Sequence, residues 1–171
     1  MASTSSDCVV GLDENAHLWE FNLKTRAIKR QAIPLPSGKW SGPLSWATNA
    51  QGQLAYLADA EGNLFAYADG AGFGPEPVAK TPLVPVGPMT TTFDGRLFGF
   101  CGDEMAHFFT YEPGKREARD LGIALSVIGR MRYGYVFGAV AVGRDGQIYF
   151  GENDNLGHLW HYFPRIGESK A

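Results

Sequence analysis

The sequence has 171 residues, 44% of them hydrophobic and 19% charged, with a formal net charge of −3. That length supports a domain with its own core, and the balance lacks the clustered Lys and Arg of a nucleic-acid footprint. No apolar run suits a bilayer, and the opening stretch Met1–Asp7 is polar with no apolar h-region, so neither membrane insertion nor a signal peptide is expected. The compartment leans to the cytoplasm, and the polar opening equally suits an added leader in place of a missing native N-terminus.

With 22 Gly and 10 Pro, turns are dense, as an all-β chain of short strands requires. The density of Gly, Pro and alternating apolar residues leaves no helix candidate. Taken along the chain, the predicted elements form a repeat of four strands, labelled A to D from the inside outwards. The first repeat, about residues 5–36, begins at its A–B turn near Ser5 with no strand A. It then runs through Asp13-Glu-Asn-Ala into Ala16-His-Leu-Trp-Glu-Phe. The second, about 44–82, carries Gln51-Gly-Gln-Leu and then Gly62-Asn-Leu-Phe-Ala-Tyr. The third, about 88–122, is read as Met89–Phe93 (A), Arg96–Gly102 (B), His107–Glu112 (C) and Arg116–Leu121 (D). The fourth, about 136–171, has Asp145-Gly-Gln-Ile and Gly157-His-Leu-Trp-His-Tyr, and stops without a good strand D.

A period of about 40 to 50 with four short strands per unit is a β-propeller signature. The fold class is therefore all-β, a propeller of about four blades within one domain, the first lacking its inner strand and the last its outer. An arc of this kind leaves open faces at both ends. The expectation is accordingly self-association, pairing with a second half-propeller chain, or a missing N-terminal half, with closure as an isolated four-bladed ring as the remaining alternative. Cys8 and Cys101 fall in predicted strands as small buried hydrophobes and form no metal or redox motif.

In a propeller the B–C and D–A connections share one face, where loops on a rigid scaffold carry function. The connection Gly129-Arg-Met-Arg-Tyr-Gly-Tyr is the longest, and it leads into the repeat that holds Glu152, Asp154 and His158. Arg130 and Arg132 can clamp a carboxylate or sulfate through paired hydrogen bonds, and Tyr133 and Tyr135 offer flat faces to a sugar. A His beside carboxylates suits proton transfer near neutral pH. The candidate catalytic residues are thus His158, Tyr133 and Arg132. The candidate ligand-binding residues are Arg130, Tyr135, Glu152 and Asp154, joined by Lys39 and Trp40 from the first D–A connection.

No cofactor motif is present. A divalent metal would draw on Glu14, Glu104, Glu152, His17 and His107, of which none forms a diagnostic set. The polar position repeated at His17, Asn63, His107 and His158 is read first as structural, tying the start of strand C to a neighbouring turn. Trp19, Phe65, Phe109 and Trp160 recur one strand position and are read as core between blades.

Phe93-Asp-Gly-Arg-Leu-Phe-Gly-Phe, Thr110-Tyr-Glu-Pro-Gly-Lys and Gly151-Glu-Asn-Asp-Asn-Leu-Gly-His-Leu-Trp-His-Tyr-Phe-Pro resemble blades of bacterial propellers of the lactonase and gluconolactonase type and of propeller polysaccharide lyases. The resemblance implies the fold and carries no catalytic residue across. Three functions follow as expectations: a carbohydrate-directed propeller that binds or cleaves an acidic glycan, a non-enzymatic assembly module, and a metal-dependent lactonase-type hydrolase.

Overall fold

A computed structural model describes residues 1–30, 40, 42–49, 51–124, 126–128, 131–133, 136–153 and 157–165, with the backbone alone at 104, 126–128 and 131–133. Among these residues every element is a strand except one 3₁₀ turn, Asp103–Met105. The strands form successive up-and-down antiparallel units. The first comprises β1 (Ala2–Ser3), β2 (Cys8–Leu12), β3 (Leu18–Asn22) and β4 (Ile28–Arg30). The second comprises β5 (Ser45–Thr48), β6 (Leu54–Ala58) and β7 (Asn63–Ala68), with β8 (Gly72–Phe73) and β9 (Ala79–Lys80) both paired to β7. The third is β10 (Val86–Thr91), β11 (Leu97–Cys101), β12 (His107–Glu112) and β13 (Glu117–Ile123). A separate hairpin, β14 (Ser126–Ile128) and β15 (Met131–Tyr133), precedes the last unit of β16 (Phe137–Val142), β17 (Ile148–Glu152) and β18 (Leu159–Tyr162).

Two details differ from the sequence reading. The first unit does have an inner strand, because Ala2 and Ser3 pair with Val10 and Val9. A two-residue strand carries no alternation, so it left no pattern to read. The inner strand of the third unit starts at Val86 rather than Met89, across Pro88. A register shift between Val86 and Met89 takes up the proline, which cannot donate to a ladder.

The turns follow from side-chain chemistry. At the predicted A–B turns, the Oδ1 atoms of Asn49, Asp94 and Asp145 accept the backbone N–H two residues on, from Gln51 (3.0 Å), Arg96 (3.4 Å) and Gln147 (3.1 Å). The inner strands β5 and β10 run parallel in register, Met89 opposite Ala47 and Thr90 opposite Thr48, which joins the second and third units into one sheet.

Three apolar cores lie between successive units. Val10 and Leu18 meet Leu57, Phe65 and Phe73; Ala58 and Leu64 meet Leu97, Phe109 and Tyr111; Phe98, Phe100 and Phe108 meet Phe137, Ile148 and Phe150. Close approach needs glycine at two equivalent places. A Cβ on Gly11 would overlap the Trp19 indole, and one on Gly99 would stand 2.7 Å from Met89 Cγ and 3.0 Å from Phe109 Cε1. Both thiols are free and buried, and burial pushes Cys101 up to about 11.

Candidate functional site

The loop face is built by one repeated backbone contact. Each connection leaving an outer strand donates to the B–C turn of its own unit: Trp40 N to Ala16 O (3.1 Å), Thr81 N to Gly62 O (2.8 Å) and Ala124 N to Ala106 O (2.8 Å). These bonds hold the D–A and B–C connections together at one end of the sheets. The return of the longest connection is fixed as well, because Asn153 N donates to Val136 O at 2.9 Å. The connection carrying Arg132 and Tyr133 therefore ends beside the turn that follows Glu152.

The same contact corrects the reading of Trp40. Its indole is 3% exposed, packed edge-on against Phe65 and Phe73 with ring centroids 4.7 and 6.0 Å away. A side chain in the first core cannot serve as an open sugar platform. Its Nε1 is buried with no hydrogen-bond partner among the described residues.

The repeated polar position is tied to a carboxylate in each unit, by three designs. In the first, Asp13 Oδ1 accepts N–H from Asn15 and His17, both at 2.9 Å, and His17 Nδ1 stands 3.5 Å from Asp13 Oδ2. The His17 N–H contributes most to holding the Asp13 carboxyl below its ordinary range, against a smaller desolvation effect. The second unit repeats this with Asn63, whose Nδ2 donates to Asp59 Oδ2 at 2.9 Å. In the third, His107 Nδ1 donates instead to Asp120 Oδ2 on the outer strand, at 2.9 Å.

The last unit departs from all three. Its acid is Glu152, at the end of β17, and the side chain is fully buried. One oxygen accepts His158 Nδ1–H at 2.7 Å and His158 N–H at 3.3 Å; the other accepts Trp160 Nε1–H at 2.8 Å. Three donors converge on one carboxylate, the backbone and imidazole of one residue and an indole, and the imidazole stays 44% exposed. Chemically this is a partly exposed imidazole whose Nδ1 is aimed by a buried carboxylate.

Of the other sequence candidates, Lys39, Arg130, Tyr135 and Asp154 lie outside the described residues, and for Arg132 and Tyr133 the backbone alone is described, on β15. Glu14 and His17 sit in the first unit, and His107 in the third. Among the described residues no three His, Cys, Asp or Glu side chains gather as a metal set. Trp160 packs on the third core, as its repeat position shared with Phe65 and Phe109 predicts, and nothing in that position signals that it also completes the Glu152 cluster.

No family model matches the sequence, and no curated protein matches it. Solved structures do. A Bacteroides thetaiotaomicron protein of unknown function aligns over 94% of this chain and 46% of its own, at 14% identity and a TM-score of 0.54. A catalytically inactive variant of Staphylococcus aureus virginiamycin B lyase, solved with quinupristin, aligns over 98% of this chain and 59% of its own, at 10% identity and a TM-score of 0.54. The fold is a β-propeller. At these identities the likeness concerns fold alone, and the chain spans about half the length of the structures that it matches. No helix of the described residues is long and apolar enough to cross a membrane.

Proposed function

We propose that the loop face of the last unit binds an acidic carbohydrate, with His158 as its proton-transferring group and Arg132 and Tyr133 as ligand contacts. The observation that carries this reading is the break in the repeat at Glu152. Three units tie the polar position with a turn or edge aspartate, so the structural task needs no buried acid. Burying a carboxylate costs several kcal/mol unless its oxygens are satisfied, and here two side chains and a backbone N–H satisfy them. A tie that costly, with one ring left partly in solvent, suits orientation of an imidazole. Arginine on the adjoining connection supplies the planar partner that a uronate carboxylate or a sulfate requires.

Cleavage at such a site would be an elimination. His158 removes the proton beside the uronate carboxylate, the neighbouring C–O bond breaks as a carbon–carbon double bond forms between the two carbons, and the departing oxygen takes up a proton so that the sugar leaves as an alcohol. The test is a melting-shift panel of uronate and sulfated oligosaccharides on the full chain. At least one acidic oligosaccharide is expected to raise the melting temperature, and Arg132→Ala to abolish the shift while leaving the unliganded melting point unchanged. No shift with any member of the panel overturns the reading.

A further inference from the structure

Successive units meet by one rule. The residue after the repeated polar position faces the following unit, and Leu18, Leu64 and Phe108 are 0, 0 and 5% exposed there. The next residue faces the preceding unit, where Phe65 and Phe109 are 3 and 0% exposed. The partners confirm the direction: Leu18 shares a core with Phe65, Leu64 with Phe109, and Trp160 packs on the core that holds Phe108.

Applied to the ends, the rule leaves one residue over at each. Leu159, the equivalent of Leu18, Leu64 and Phe108, is 73% exposed. Trp19, the equivalent of Phe65 and Phe109, lines an open groove of about 370 Å³ with Val9, Phe21 and Ile28. The surroundings fit as shapes. Leu159 pairs across the strands with Gly151, which pairs with Ala139, and Ala139 and Ala141 are exposed on β16. Small residues surround the projecting leucine there, and the stacked rings of Tyr149 and His161 stand beside them on the same face, against a groove walled by an indole and a phenyl ring and bordered by Asp13 and Arg30. Among the described residues no strand pairing joins the first sheet to the last.

We infer that these two faces dock on each other between two copies of this chain, head to tail. Leu159 and the last sheet of one copy cover the partner's Trp19, and the same contact recurs at the other end. Each copy carries both halves, so two copies satisfy both leftover faces at once and close a ring, as a heterologous contact does when its rotation permits. The contact continues the interfaces already present between the units. The inference is independent of any ligand at the loop face.

Sedimentation equilibrium of the full chain at micromolar concentration is expected to give a dimer. Leu159→Asp places a charge in the contact but on an exposed position of the single chain. It should keep the far-ultraviolet circular dichroism spectrum and weaken association at least about tenfold. Trp19→Asp should do the same from the other side. Mixing the two variants distinguishes head-to-tail docking from a face-to-face one, because the mixture contains one intact contact, between the Leu159 of one variant and the Trp19 of the other. Association regained in the mixture supports the proposal. A wild-type monomer, a dimer indifferent to Leu159→Asp, or variants that associate no better mixed than alone would each overturn it.

Discussion

Phe108 and Leu159 hold the same place in two copies of one repeat, the second residue of the segments beginning at His107 and His158. One is 5% exposed inside the third core and the other 73% exposed on the last sheet. Their strands have equivalent pairings, with Phe108 opposite Phe100 and Leu159 opposite Gly151. Whether a neighbouring unit lies over the position makes the difference. Trp19 and Phe109 make the same comparison on the opposite face. In a quasi-one-dimensional repeat, stability therefore resides in the interfaces between units, and the end units lack half of theirs.

The largest expected effect breaks or keeps that comparison directly. Phe109→Ala, in a filled core, should cost about 3–5 kcal/mol. Trp19→Ala, measured by denaturant unfolding in solution dilute enough to hold single chains, should cost only about 1–2 kcal/mol, since its groove is open to solvent. Equal losses would mean that the end unit is covered in the single chain. Next comes the contrast between the two ways of tying the polar position. Glu152→Ala strands the Trp160 Nε1–H and His158 Nδ1–H donors and should lower unfolding free energy by about 2–3 kcal/mol. Asp13→Ala, at a solvated turn, should lower it less in the same assay.

The smallest effect concerns pH. The Asp13 carboxyl is held below its ordinary range, chiefly by the His17 N–H, and Asp145 likewise, chiefly by the Tyr149 hydroxyl. A group depressed on folding contributes stability above its unfolded pKa and loses it as pH falls through the folded value. The stability these two turns contribute should therefore be lost in the acid range below the ordinary aspartate value, and Asp13→Asn should make the acid decline slightly shallower in a melting series. An unchanged acid profile would assign no stabilising role to the turn.

The fold was legible because its signals are local. Turn residues such as Asp94 and Gly95, alternation such as Leu97, Gly99 and Cys101, and the spacing of His17, Asn63, His107 and His158 all come from the chain's own sequence. The limits of legibility were local too. Ala2–Ser3 is too short to alternate, and the bulge at Pro88 hides the start of β10. The site was legible only in part. Glu152 and His158 were found from their types and place, whereas their partner Trp160 reads as core. Trp40, next to Lys39 and between Gly38 and Gly42, reads as a ligand platform and is core.

By itself, then, the sequence determined an all-β repeat, its turns, the residues that face between units and the polar position tied at every strand start. These depend on backbone chemistry and side-chain period, which neighbours in sequence decide. Only the tertiary structure decided which equivalent residue is covered, which acid serves each tie, and that Glu152 is the one buried among three donors. Those outcomes depend on what lies across the gap between sheets, and residues far apart along the chain set that distance.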